Sequence, residues 1–193
     1  MAEHLIEKVR EGKRLSFKAS RLAFGSLMAK KWNTFEDANI IRVNNQVLDE
    51  VLRLYNENFT EINEKMLLRY CRFFNEMCYA FLEDGEVKGY SIFFLKPFFS
   101  LTGINKTAVL YSFTVDRKYR NHGIGRRLLQ KGIREMELNS VGCISLFVAV
   151  DNLPAIRLYR KMGFNVIREV DDVCGPGLRC YEMSLRPRSG NGL

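Results

Sequence analysis

No part of this 193-residue chain stays apolar for long. The most hydrophobic run, YSIFFLKPFFSL from Tyr90 to Leu101, is broken by Lys96 and Pro97 and falls short of the roughly 20 residues a spanning helix needs. No transmembrane helix is expected. The opening MAEHLIEKVREGKRL lacks the uninterrupted apolar segment of a secretory signal, so a cytoplasmic protein is expected. No segment repeats, and RPRSGNGL at the end is the one low-complexity tract. The five cysteines, Cys71, Cys78, Cys143, Cys174 and Cys180, lack the paired short spacings of a zinc site, and no metal is expected. Reduced, mostly buried thiols are the expectation. Cys174 and Cys180 are the pair a loop could join, but a reducing cytosol argues against a structural disulfide.

What is present is the composition of an ordinary globular domain, 47% hydrophobic and 27% charged. The length suits one well-filled core. A net charge of +8 favours an anionic partner: a nucleic acid, a membrane surface or a polyphosphorylated ligand. Residues 1–38 carry eight Lys or Arg against five Asp or Glu and read as a basic, helical N-terminal extension. Its interleaved Leu15, Phe17, Phe24 and Trp32 suit a helix packed on the domain or on a second subunit. Nucleic acid is therefore not the expected partner, and a homodimer stays open. The organised domain is placed at 39–187, with 188–193 as a flexible tail.

Periodicity within the domain predicts a strand at Asn39 to Val43, then a helix bearing Leu48, Val51, Leu52, Tyr55 and Phe59. A second helix carries Met66, Leu67, Tyr70, Phe74 and Met77. Tyr79 to Leu82 and Val87 to Leu95 flank Asp84-Gly85, a hairpin signal. A strand at Ala108 to Val115, a glycine-pinched corner, a helix from Ile124 and a strand at Ile144 to Val150 form a strand–helix–strand unit, which implies a locally parallel pair. A helix with Pro154 in its first turn and Gly163 beyond its end follows. Strands at Phe164 to Val170 and Leu178 to Leu185 close a mixed α/β sheet.

The corner, YRNHGIGRRLL from Tyr119 to Leu129, places two glycines and several arginines at a helix start. Unpaired N–H groups and the helix dipole there favour an anion. It is not a Walker loop, because Arg126-Arg127 follows Gly125, and a dinucleotide fingerprint would need a third glycine near Leu128. Arg120-Asn121-His122-Gly123-Ile124-Gly125 does resemble the pyrophosphate loop of GNAT-type N-acetyltransferases. About thirty residues on, Asn152, Ala155, Tyr159 and Gly163-Phe164 resemble the second signature of that family, in order and in register. Within the family this segment is similar to the ribosomal-protein alanine acetyltransferases.

The resemblance implies the acyl-CoA N-acyltransferase fold, with the strands at Leu110 to Val115 and Ile144 to Val150 splayed to admit acetyl-CoA. It implies that the backbone of Phe113, Thr114 and Val115 meets the pantetheine arm. The loop residues Arg120, Asn121, His122, Gly123, Ile124, Gly125 and Arg126 would hold the diphosphate, and Asn152 would meet the pantetheine side. Tyr159 corresponds to the tyrosine that protonates the leaving thiolate. Where relatives acting on protein N-termini often have a carboxylate, this chain has Phe147; Glu182, or a water held by Tyr111, are the substitutes considered for the base. A site with a poor base favours an α-amine, with a pKa of about 7.7 to 8.0, over a lysine amine at about 10.4. The expected acceptor is a protein or peptide N-terminus, then a small-molecule amine; a non-catalytic acyl-CoA-binding module is the alternative from another class. Loop Asp171 to Leu178 and the segment Phe59 to Met66 are the expected walls of an acceptor groove.

Overall fold

A computed structural model of the chain describes residues 20, 22–59, 63–100 and 103–187. The basic residues up to Arg14 and Lys18 and the tail 188–193 lie outside them. The element order is helical residues 22–29 (α1), β1 (Ile40–Arg42), α2 (Leu48–Asn58), α3 (Glu64–Phe73), β2 (Cys78–Glu83), β3 (Glu86–Ser100), β4 (Gly103–Val115), α4 (Ile124–Leu138), β5 (Cys143–Ala149), α5 (Leu153–Lys161), β6 (Asn165–Asp171) and β7 (Arg179–Leu185). Among the described residues no helix is long and apolar enough to cross a membrane.

The strands form one seven-stranded sheet in the order β1-β2-β3-β4-β5-β7-β6, antiparallel except for the β4–β5 pair. Asp84 and Gly85 both take positive φ, 54° and 77°, as the expected two-residue hairpin requires. The β3–β4 hairpin is longer than the sequence suggests, running on through Pro97, which sits opposite Lys106. Proline is tolerated there because β2 pairs with β3 only as far as Ile92, so that edge of β3 needs no donor.

The parallel pair is short. β4 and β5 meet at Thr107–Cys143, Ala108–Ile144 and Val109–Ser145, and then part. The cause lies in β4: Ile92 faces Ser112 while Phe93 faces Leu110, leaving Tyr111 as an extra residue. Such a bulge bends its strand and sharpens its twist. Beyond it β4 follows β3, whereas β5 stays with β7 from Ile144 to Ala149. The sheet opens between them.

Helix α4 carries Ile124, Leu128, Leu129 and Met136 into the core. A second stripe, Arg127, Lys131, Glu135 and Asn139, recurs every fourth residue, so its side chains stack on one face. Residues 32–37 lie along this stripe. The fully buried Glu135 accepts from Trp32 Nε1 at 2.8 Å, Tyr79 O–H at 2.6 Å, Lys131 Nζ at 2.7 Å and Phe35 N–H at 3.0 Å. Asn139 exchanges hydrogen bonds with the Asn33 backbone at 2.9 and 2.8 Å. Arg127 donates to Asp37 at 2.6 Å while its guanidinium lies 4.8 Å from the Phe81 ring centre. The described part of the N-terminal extension is thus joined to the domain by buried polar contacts.

Replacing Glu135 with alanine leaves a buried ammonium, an indole N–H and a phenol without their shared acceptor. The expected cost is about 3–5 kcal/mol, read as a lowered urea midpoint. Glu135→Gln, which keeps the shape and one acceptor oxygen, should cost less.

Candidate active site

The corner between β4 and α4 is built by short-range contacts. The Asp116 carboxylate accepts the Lys118 N–H at 3.0 Å to start a single 3-10 turn, Arg117–Tyr119. Asn121 and Gly123 then take left-handed φ values of 65° and 81°, a conformation that costs glycine nothing. Gly123 is the N-cap of α4 and provides no side-chain acceptor, and the first turn carries no acidic residue. The leading N–H groups of a four-turn helix are therefore without a side-chain cap and face the cleft lined by Gly123, Ile124, Gly125 and Arg126. A Cβ on Gly125 would stand 3.1 Å from the Phe113 ring and 3.3 Å from Leu158, so the backbone approaches β4 closely there.

From this corner a cleft of about 1050 Å³ runs into the gap between β4 and β5. Its walls include Phe113, Thr114 and Val115 on one strand and Leu146 to Ala149 on the other. Past Val109 neither strand pairs with the other, so their facing edges can serve an extended ligand. Tyr111, the bulge residue, has no register partner on β3.

Tyr159 lies at the foot of the gap on α5. Its ring is buried between Phe113, centroids 6.1 Å apart, and Phe164, 5.8 Å and edge-on. That contact explains why a Gly-Phe pair follows the helix. No described residue hydrogen-bonds the Tyr159 hydroxyl, and burial pushes its pKa well above the ordinary phenol value. It is a neutral donor held at the cleft wall. Asn152 caps α5, its Oδ1 accepting the Ala155 N–H at 3.3 Å, and it too lines the cleft, with Nδ2 left over for a ligand.

The other side of the gap is aromatic. Tyr70 stacks on Phe94 at 4.4 Å and meets Tyr111 at 4.5 Å, while Tyr55 lies 5.1 Å from Phe59. Burial, and then the neighbouring Tyr55 hydroxyl, push the Tyr111 pKa well up, so Tyr111 is a poor proton acceptor but a stable donor. Tyr55, Tyr70 and Phe94 were legible only as a helical or strand core; the signal for their role is that two of them bring hydroxyls to a buried face.

Three expectations need correction. Glu182 does not line the cleft: β6 pairs with β7 so that Arg168 faces Glu182, and the guanidinium holds the carboxylate at 2.6 Å. His122 brings no side chain to the cleft, its Nδ1 lying 2.8 Å from the Arg120 carbonyl, so only its backbone N–H is left for the expected role. Cys174 and Cys180 are joined as a disulfide, because their Cα atoms lie 6.3 Å apart across the β6–β7 loop. Cys71, Cys78 and Cys143 are free thiols. Of the basic residues, Arg126 and Arg120 line the cleft; Arg120 reaches back to the Val115 carbonyl at 3.1 Å and to Asn58 at 2.8 Å. Arg127 is engaged with Asp37 instead.

A corner of unsatisfied amides and cations, an apolar split and a partnerless phenol suit a long ligand with a polyphosphate head and a reactive tail, as coenzyme A has. Comparison with known proteins agrees. Residues 46–164 match the family described as acetyltransferase (GNAT). An N-alpha-acetyltransferase of Sulfurisphaera tokodaii is 35% identical over 106 residues, 52% of this chain and 64% of that protein. The ribosomal protein bS18 alanine N-acetyltransferase of Escherichia coli is 41% identical over 58 residues, 30% of this chain and 39% of that protein. The chain thus covers less than two thirds of either relative. A solved structure, the NatC complex bound to Gag peptide and CoA, superposes with a TM-score of 0.70 at 17% identity, over 76% of this chain and 96% of that one.

Gly123→Val forces a β-branched side chain into a left-handed residue and should turn the α4 amides away from the cleft. Titration calorimetry should then show CoA affinity reduced by roughly tenfold or more, since charge-assisted bonds are worth about 1.5–3 kcal/mol each; unchanged affinity would remove the corner from the binding site.

Proposed function

The chain belongs to the acetyltransferase (GNAT) family, and from that premise we propose that it moves an acetyl group from acetyl-CoA to the α-amine of a protein or peptide N-terminus. Its fold is the family's acyl-CoA N-acyltransferase fold, a mixed central sheet flanked by helices. The observation that carries the reading is the split itself, with an anion corner at one end and, lining the cleft beside it, the buried residue Tyr159, whose hydroxyl no described residue hydrogen-bonds.

Acetyl-CoA supplies an activated acyl thioester. The chain's own residues then have separable tasks. The α4 amides and Arg126 take the diphosphate, the exposed edges of β4 and β5 hold the arm extended, and Asn152 Nδ2 offers it a donor. Tyr159 gives its proton to the departing sulfur as the C–S bond breaks and regains one from the proton that the acceptor nitrogen sheds on forming the amide; Tyr111, a donor at the bulge, faces the same gap. Such proton transfer contributes typically 10²–10⁴-fold.

The acceptor follows from what the cleft lacks. Among its described lining residues the one carboxylate is Asp172, which accepts the Gly177 N–H at 2.6 Å within its own loop. A polycationic amine would find little to pair with. Since no imidazole and no free carboxylate stands among the described lining residues, the amine is taken to arrive already neutral, and an α-amine is neutral roughly one time in ten at pH 7, a lysine less than one time in a thousand. The S. tokodaii relative, by its name an N-alpha-acetyltransferase, supports this class of acceptor. The shorter likeness to the alanine acetyltransferase supports the same class without assigning the acceptor residue.

Two outcomes test the reading. Tyr159→Phe keeps the ring between Phe113 and Phe164 and removes the proton; acetyl transfer to N-terminal peptides should fall about 10²-fold or more with the Kd for acetyl-CoA nearly unchanged, and full activity would exclude this acid. The pH profile of kcat/KM should rise with the free α-amine to about pH 8 and then level. Because burial raises the Tyr159 pKa, the phenol keeps its proton above its ordinary range, so no alkaline fall below about pH 10 is expected; a fall between pH 8 and 9 would assign proton donation to another group.

A further inference from the structure

Resting on the N-terminal acceptor just described, we propose that the enzyme selects peptides whose first residue bears a large apolar side chain, seated between Phe147 and the pair Val173 and Leu178. All three line the cleft yet remain in water: Phe147 is 39% exposed, Val173 52% and Leu178 43%. Exposed apolar residues scattered singly carry no meaning, but these three border one cleft, at the gap where the reaction must occur.

Position makes the argument specific. The acceptor amine has to enter where β4 and β5 part, between Tyr111 and Phe147. A residue whose amine sits there has its side chain against Phe147 on β5 and against the β6–β7 loop, two walls whose apolar side chains are exposed. An acidic or basic side chain would lose water there and meet only charges already engaged: Glu182, the register partner of Phe147, is held by Arg168, Asp172 is turned into its loop, and the arginines of the lining stand at the phosphate corner. A glycine or serine would leave the apolar walls wet.

The loop is set before the peptide arrives. Asp172 N–H donates to the Leu178 carbonyl at 3.0 Å, Leu178 N–H to the Gly175 carbonyl at 3.1 Å, and the Cys174–Cys180 disulfide spans the same turn. Val173 and Leu178 are therefore held on a preorganised wall, which spares the entropy of ordering it on binding. Burying a Leu-sized side chain against such walls should raise kcat/KM by roughly tenfold to a hundredfold over glycine.

The test uses the full chain, acetyl-CoA and peptides that differ only at the first residue: Gly, Ser, Ala, Lys, Glu, Met, Leu and Phe. Peptides starting with Met, Leu or Phe should show kcat/KM about tenfold or more above those starting with Gly or Ser. Leu178→Asp should erase that preference by raising the peptide KM, with the acetyl-CoA Kd unchanged as the check on folding; Val173→Asp is read the same way if the first variant does not bind acetyl-CoA. Equal rates along the series, a preference for Gly, Ser or Ala, or a preference that survives both substitutions overturns the apolar seat and leaves the N-terminal acceptor standing. Acetylation of none of the peptides overturns both, and acetylation of an aliphatic diamine instead would identify the acceptor class as a small amine.

Discussion

The single residue of mismatch at Tyr111 is the constraint on which the rest depends. A sheet that paired β4 with β5 along their whole length would satisfy its backbone internally and hold no ligand. By inserting one extra residue opposite the Ile92–Phe93 step, the chain makes β4 choose β3 and β5 choose β7 after three shared positions. Backbone groups on the facing edges are then left for something other than protein. Leaving such groups unpaired in a buried place is costly, so the cleft is stable only because it is open to water or filled.

An opened sheet needs bracing from outside, and α4 provides it. The same helix faces the cleft at its N-terminus and carries on its flank the stripe Arg127, Lys131, Glu135 and Asn139 that grips residues 32–37. Glu135 satisfies four donors from three separate segments, including Tyr79 on β2. A buried carboxylate is tolerable only with such full pairing, and it is unforgiving of losing any partner. The arm, helix and sheet are fixed relative to one another by this group, which holds the α4 amides at a defined height over the gap.

Local signals in the sequence carried the local facts. Asp84-Gly85, Pro154 and the Gly123 corner each state a backbone conformation within a few residues, and the elements form where they say. What required the third dimension was long-range. The stripe on α4 reads as a solvated polar face, because periodicity identifies the apolar side and assigns the remainder to water; the hydrogen-bond partners of its side chains in other segments lie 56 to 106 residues away. Tyr111 carries no mark of a bulge, since a bulge belongs to a pair of strands and not to one. Glu182 looked available because the Arg168 that claims it is placed by a register shift in β6. The disulfide follows from loop closure, which six residues of spacing allow without requiring it.

The raised pKa of Tyr159 bears on how well it can act as an acid. In isolation a phenol pushed upward by burial is a worse donor, and giving its proton to a thiolate of ordinary pKa, about 8.5, would be uphill. In the proposed transfer, however, the sulfur leaves into the same apolar gap that raises the tyrosine, and desolvation penalises its anion too. Both partners move in one direction, so part of the tyrosine's rise cancels in the difference that sets the cost of transfer. The absolute shift then works in favour of the site: a phenol without a hydrogen-bond partner and far from ionising keeps its proton until an anion appears beside it. Among the described residues, the same low polarity that leaves Tyr159 without a partner offers the proposed amine no base. On the proposed reading the acid stands in the wall, and deprotonation is left to the acceptor's own chemistry.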